Sequence, residues 1–309
     1  MDEDVPCRAF VPAKQDVGDL AELADLEKVS VLTYNVLSQM GARRMQRRGK
    51  SSVSAAILNI RLRRERLLRC LPLLHATFDA TLYREILSYD ADIMCLQVEV
   101  DEYDDWWATE LAIAGYDSIY ATSAVPASAT ATKEIDDGLV TAFRKTIFQL
   151  FRSTEVHLND LCANINDANL AARAKQDKLA LLVCLQPWET STLPSALCVA
   201  NTQLAAGATP ELERVRVLQT EYLCRRVSAF NADFQLPVVL VGTFNATPSS
   251  DVYHTILTGR RRPVPEAPGA PGRPVIDDPT SSSRHNVISA QCSECQSEEI
   301  QPSAGKRRE

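Results

Sequence analysis

The sequence predicts an α/β fold in which two mixed β-sheets pack face to face and helices cover their outer sides. Many segments have the length and the apolar, β-branched composition of strands, and fewer have helical spacing of apolar residues. One segment, residues 238–245, is an apolar run that breaks at Gly242 and ends in polar side chains. Buried strands of this kind deliver functional side chains at their carboxyl ends.

The elements follow from local composition. Strands are predicted at residues 29–37, 90–100, 116–121, 137–145, 148–158, 179–186, 197–204 and 238–245. Helix-spaced leucines with arginines on the opposite face predict a helix within 55–87, interrupted near Pro72. An acidic helix containing Trp106 and Trp107 is predicted at about 103–114, with both rings packed against the core. The helix at 210–230 begins with proline and acidic residues, which suit a helix N-terminus, and a short helix follows Pro248.

Composition divides the chain into three parts. Residues 1–27 mix acidic and small residues with prolines, which predicts a loose N-terminal arm. Residues 28–260 carry the strand and helix patterns and form the predicted domain. Residues 261–309 are dominated by Pro, Gly, Ser and charged residues without hydrophobic periodicity, so this tail is predicted to be disordered.

Charge and cysteine content narrow the function classes. A net charge of −7 argues against bulk, non-specific nucleic-acid binding but leaves a local basic groove open. Cysteines within apolar strands, such as Cys95, Cys184 and Cys198, predict reduced core thiols rather than a disulfide framework. No apolar run reaches membrane-spanning length, and the acidic start is unlike a signal peptide. The expected location is the cytoplasm, with the nucleus as a second location.

Polar side chains stand at the ends of four predicted strands. They are Asn35, then Gln97 with Glu99, then Asn201 with Gln203, and finally Thr243 with Asn245. The two-residue period of a strand places Asn201 and Gln203 on one face, and Thr243 and Asn245 on one face. A single polar strand end is usually a solvated terminus, but four at matching order and spacing indicate a functional site.

The motifs around these strand ends resemble those of a known superfamily. They are residues 32–39 (LTYNVLSQ), residues 84–97 (REILSYDADIMCLQ), Asp137-Gly138 with residues 143–145, residues 199–202 (VANT) and the strand at Gly242. In this order, and over roughly 29–257, the chain is similar to the carbon-catabolite-repressor deadenylase, nocturnin and Angel branch of the endonuclease/exonuclease/phosphatase superfamily, most closely to Angel-like members. The resemblance implies an α/β, four-layer DNase-I-like sandwich, and a C-terminal truncation of that sandwich is expected here.

The resemblance also implies a chemistry and residue roles. The chemistry is Mg²⁺-dependent hydrolysis at an RNA 3′ end, with a small nucleotide as the alternative substrate. The catalytic residues would be Asn201, Thr243 and Asn245, the substrate-binding residues Asn35, Asp137 and Gln203, and the metal ligand Glu99.

Most of the charged groups that this chemistry requires are absent at the matching positions. Val98 stands where the metal-binding glutamate belongs, and alternation of strand faces would turn Glu99 away from a site that position 98 faces. Gln203 replaces a histidine and Thr243 replaces an aspartate. Because Mg²⁺ prefers anionic oxygen ligands, these residues predict that hydrolysis is weak or lost.

Three functions are open on the sequence alone. The first is a divergent RNA 3′-nuclease-family protein with weak or lost hydrolysis. The second is a pseudoenzyme that binds RNA or protein without chemistry, and the third is a phosphoesterase that acts on a small nucleotide.

Overall fold

The computed structural model of the protein describes residues 28–36, 85–98, 103–122, 138–189 and 195–259. The first sheet contains β1 (Val31–Asn35), β2 (Ile93–Val98), β3 (Tyr116–Thr122) and β4 (Gly138–Arg144), in the spatial order β1-β2-β4-β3. The second sheet contains β5 (Phe148–His157), β6 (Leu179–Pro187), β7 (Leu197–Gln203) and β8 (Val238–Thr243), in the order β5-β6-β7-β8. Both sheets are mixed, since β1 and β2 pair in parallel, β7 and β8 pair in parallel, and the remaining pairs are antiparallel.

The described helices lie outside the sheets. They are α1 (Ala108–Ile113), which follows a π-helical turn at Tyr103–Trp107, α2 (Ala168–Ala174), which follows a 3₁₀ helix at Leu158–Asn164, then α3 (Pro210–Phe230) and α4 (Asp251–Thr258). Side-chain caps mark the starts of α2, α3 and α4. Thr209 accepts from the backbone N–H of Leu212 at the start of α3, and Ser250 accepts from that of Tyr253 at the start of α4. Gly259 ends α4 with φ = 68°, a left-handed conformation that glycine adopts without strain.

Side-chain alternation along β2 shows how the layers are built. Ile93 and Cys95 face the second sheet and pack in the inner layer with residues such as Leu181 and Val199. The alternate residues Met94, Leu96 and Val98 face outward and pack with Trp106, Trp107 and Leu111. On the far side of the molecule, the outer face of the second sheet packs on α3 and α4 through residues that include Leu223, Phe230 and Ile256. Burial of apolar area in these layers provides most of the stabilisation.

The predicted architecture is confirmed: two mixed sheets pack together and helices flank them. The predicted packing role of Trp106 and Trp107 is confirmed, because both side chains are buried in the outer cluster. Cys95, Cys184 and Cys198 are buried free thiols, as predicted. Neither α2 nor the 3₁₀ helix before it is predicted by the sequence pattern.

Several predictions fall on residues that the structure does not describe. These are the N-terminal arm, most of the helix within 55–87, and the tail at 261–309. Within the described ranges, no helix combines the length and apolar character needed to cross a membrane.

Candidate functional site

The polar strand ends of the two sheets meet at one edge of the sandwich. Asn35 is the last residue of β1, Gln97 lies near the end of β2, and Gln203 and Thr243 are the last residues of β7 and β8. β7 and β8 are parallel with Gln203 opposite Thr243, and β1 and β2 are parallel with Asn35 opposite Gln97. A hydrogen bond between Asn35 and Thr243 brings the carboxyl ends of the two parallel pairs together, and open α/β sheets place their sites at such ends.

A continuous hydrogen-bond chain crosses from one sheet to the other at this edge. Asn35 Nδ2 donates to Thr243 Oγ1 at 2.9 Å, although the two residues are 208 positions apart in the sequence. The Thr243 hydroxyl donates to Gln97 Oε1 at 3.0 Å. Gln97 Nε2 in turn donates to Asn201 Oδ1 at 2.9 Å and to the Cys95 carbonyl at 3.3 Å. We call Asn35, Thr243, Gln97 and Asn201 the amide chain.

Asn201 is the buried end of the amide chain. Its side chain is 0% exposed, and its Nδ2 donates to the carbonyl oxygens of Val140 at 3.0 Å and Leu96 at 3.4 Å. Asn201 belongs to the second sheet, whereas both carbonyls belong to the first sheet. Its amide therefore satisfies polar groups between the sheets, and in this geometry a ligand at the edge would first meet Asn35 and Thr243.

The turn after β8 brings Asn245 to the same edge. Gly242 has φ = 132°, and a Cβ at this position would lie 1.9 Å from the Thr202 carbonyl oxygen, so only glycine fits. Asn245 has φ = 51°, and its Nδ2 donates to the Leu204 carbonyl at 2.9 Å. Asparagine tolerates this left-handed conformation better than most residues, and the bond holds its half-buried amide beside the end of β7.

The prediction that position 98 faces the site is wrong. Val98 is 2% exposed and packs in the outer cluster with Trp106 and Trp107, on the face opposite to Gln97. The site-facing residue at the end of β2 is Gln97, because it shares the inner face of β2 with Cys95. The strand alternation was counted from the wrong residue.

The structure brings together Asn35, Asn201, Gln203, Thr243 and Asn245 from the predicted site. Glu99 and Asp137 lie outside the described residues. Gln97 was recognised in the sequence only as a polar strand end, and no role was assigned to it. Its central position follows from the register of β2 with β1, which the sequence pattern does not contain.

The side chains at the site are neutral amides and a hydroxyl. Within the described part of the chain, no group of three or more His, Cys, Asp or Glu side chains is arranged to hold a metal ion. Mg²⁺ binds through carboxylates that offset the cost of removing its water shell, and neutral amide oxygens are poor substitutes. The described donor set therefore does not fit the Mg²⁺ ion that the family resemblance implies.

Comparison with known proteins identifies the family. The profile of the Endonuclease/Exonuclease/phosphatase family matches residues 32–287, which is most of the chain. The chain belongs to this family. The two-sheet sandwich described above is the fold of this family.

Two relatives and one solved structure show the branch within the family. The chain is 30% identical over 194 residues to protein angel homolog 2 of Bos taurus, covering 61% of this chain and 32% of the relative. It is 29% identical over 213 residues to the CCR4-Not complex 3′-5′-exoribonuclease subunit Ccr4 of Yarrowia lipolytica, covering 58% of this chain and 29% of the relative. The structure of ANGEL2, a 2′,3′-cyclic phosphatase, in complex with adenosine-2′,3′-vanadate superimposes with a TM-score of 0.56 at 25% identity, covering 75% of this chain and 57% of that one.

These similarities place the chain in the branch that contains CCR4, nocturnin and Angel proteins, as the sequence motifs predict. The chain spans about a third of the length of these relatives.

Proposed function

We propose that this chain binds an RNA 3′ end at the polar edge formed by Asn35, Gln203, Thr243 and Asn245, and that hydrolysis there is weak or lost. Family membership supports a phosphoester ligand. The observation that carries the proposal is the neutral donor set of the amide chain. Amide N–H groups can donate to phosphate oxygens, and amide and hydroxyl oxygens can accept from ribose hydroxyls and base edges. They provide no general base with a pKa near neutrality.

The chemistry of the individual groups supports binding more than turnover. Thr243 stands where the resemblance expects an aspartate, and its hydroxyl stays protonated at any physiological pH. Gln203, opposite Thr243 at the end of β7, hydrogen-bonds as a histidine does but cannot carry a charge. Neither residue can accept a proton from an attacking water or neutralise the extra negative charge of a phosphoryl transition state.

Two alternatives use the same edge. One is a pseudoenzyme that serves as an RNA- or protein-binding module, with no chemistry at all. The other is a phosphoesterase acting on a small nucleotide, and the similarity to ANGEL2 in complex with adenosine-2′,3′-vanadate favours this candidate as a second function. The cytoplasmic and nuclear location stays a proposal from composition.

Decay of 5′-labelled poly(A) RNA, with Mg²⁺ or with a chelator, tests the proposal. We expect RNA binding that survives chelation and is weakened by Asn245→Ala, with only slow Mg²⁺-dependent shortening of the RNA. Binding without any shortening would favour the RNA-binding module. The matched control is Asn169→Ala, which removes an exposed amide at α2, far along the chain from the site. Rapid Mg²⁺-dependent shortening that Asn245→Ala abolishes would show an active nuclease and contradict the proposal.

Small nucleotides separate the remaining alternatives. Phosphate release from a nucleoside 2′,3′-cyclic phosphate, without decay of RNA, would support the phosphoesterase. Absence of both RNA and nucleotide affinity would leave only the protein-binding module, and the proposed function would then be wrong.

A further inference from the structure

The amide chain has a fixed donor and acceptor direction. Backbone carbonyl oxygens only accept hydrogen bonds, so the Asn201 nitrogen, which lies 3.0 Å from the Val140 carbonyl and 3.4 Å from the Leu96 carbonyl, must be the donor there. The Asn201 amide cannot be reversed without placing its oxygen against those carbonyls. Its Oδ1 is therefore an obligatory acceptor.

This constraint passes along the chain of bonds. Gln97 must direct its nitrogen to Asn201 and, with its second proton, to the Cys95 carbonyl. The Gln97 oxygen then faces Thr243, whose single hydroxyl proton is committed to it. Thr243 offers a lone pair outward, and Asn35 supplies the N–H that bonds it.

We propose that Gln97 is the positioning residue of this site: by transmitting the fixed orientation of Asn201, it sets which atoms of Thr243 and Asn35 face a ligand. The Asn35 nitrogen is turned to Thr243, so the amide oxygen of Asn35 is turned away from it. Because the Thr243 proton is held by Gln97, Thr243 acts as an acceptor and does not donate to a phosphate oxygen. Gln97 itself is 3% exposed and acts on a ligand only through these two side chains.

Only the RNA-affinity part of this proposal rests on the proposed function. The orientation of the side-chain amides can be measured in the free protein. The test uses the full chain, labelled with ¹⁵N, and follows the side-chain amide signals of Asn35 and Asn201. Gln97→Glu has nearly the same shape, but its carboxylate has no proton to give Asn201. At neutral pH we expect both amide signals to shift and RNA affinity to fall about tenfold, equivalent to about 1.4 kcal/mol.

The pH profile distinguishes positioning from a structural role. A protonated glutamic acid has one proton to donate to Asn201 and one oxygen to accept from Thr243, so it replaces these two bonds and loses only the longer one to the Cys95 carbonyl. Burial raises the pKa of a carboxyl group at such a position above the ordinary value of about 4.3, so the protonated form is present below that raised pKa. Lowering the pH should therefore restore the Asn35 signal and the affinity in Gln97→Glu, whereas the wild-type signals stay unchanged. Signals and affinity that are independent of pH in the variant would overturn the proposal.

Two further variants keep the test decisive. Gln219→Glu changes another buried glutamine, which lies on α3 and accepts from the backbone N–H of Ala205. This variant should leave the Asn35 signal unmoved. Thr243→Val removes the hydroxyl at a half-buried position, so it should move the Asn35 signal and spare that of Asn201; an unmoved Asn35 signal would overturn the proposal even if Gln97→Glu does not fold. Correct NMR behaviour in a protein without RNA affinity would refute the proposed function and leave the positioning role intact.

Discussion

Removing the Asn201 amide should destabilise the protein far more than a comparable change on its surface. Asn201→Ala deletes the donor to the Val140 carbonyl at 3.0 Å and the acceptor of the Gln97 N–H at 2.9 Å. Each well-formed bond contributes about 1 kcal/mol net. The Leu96 contact at 3.4 Å is long, and we assign it little energy.

A second penalty comes from the partners that remain. The alanine leaves the Gln97 N–H and the Val140 carbonyl in the interior with fewer partners, which costs about 1 kcal/mol more. We therefore expect Asn201→Ala to lower the free energy of unfolding by about 3 kcal/mol. Asn169→Ala removes the same chemical group from an exposed position on α2 and should change stability by less than about 0.5 kcal/mol.

Urea unfolding of the full chain measures both variants. A shift in the midpoint at constant m-value reports stability, whereas a change in m would report a change in the native or unfolded state. If Asn201→Ala costs less than about 1 kcal/mol at constant m, the two sheets are not held together by this amide, and the reasoning fails.

Three further predictions test other parts of the structure. Val98→Glu should lower the free energy of unfolding by about 3 kcal/mol, because it buries a carboxylate beside Trp107. It should not create Mg²⁺ affinity, and tight Mg²⁺ binding in calorimetry would contradict this. Gly242→Ala should yield no soluble folded protein, since its Cβ would lie 1.9 Å from the Thr202 carbonyl oxygen, and an unchanged Tm would refute that contact. Burial raises the pKa of the Cys95 thiol to about 12, so below about pH 9 iodoacetamide should label Cys95 only after unfolding, as mass spectrometry can show. Labelling of the native protein at the rate of a free cysteine would contradict the burial.

The sequence predicted a helix or strand well where the residues that begin and end it lie within the same segment. Helix α3 was predicted at 210–230 and is observed at Pro210–Phe230, since Thr209, Pro210 and the following acidic residues form a complete N-terminal signal. Strand ends shifted by up to three residues, as at β2, which was predicted at 90–100 and is observed at Ile93–Val98. The residues just before β2 form a turn instead of a strand. Hydrogen bonds to residues far along the chain, such as those between Ser30 and Asp92, hold this turn.

The site could be predicted as a set of strand ends but not as a network. Asn35 and Thr243 carry no sequence signal that they touch, because their contact depends on the packing of one sheet on the other. The role of Gln97 depends on which face of β2 is internal. A buried strand is apolar on both faces, so the pattern around Val98 does not reveal which face of β2 is internal, and alternation counted from Val98 points to the wrong residue.

Thr243 fits both of its neighbours in the amide chain. The position of Thr243 must donate a proton to Gln97 and accept one from Asn35, and a hydroxyl group does both. An aspartate there would accept from Asn35 but would place an anionic oxygen against the oxygen of Gln97. Gln97 could not turn to relieve this contact, because Asn201 is held by two backbone carbonyls. Thr243 therefore fits the hydrogen bonds of the amide chain in this protein, and we expect Thr243→Asp alone to disturb those bonds before it could restore any chemistry.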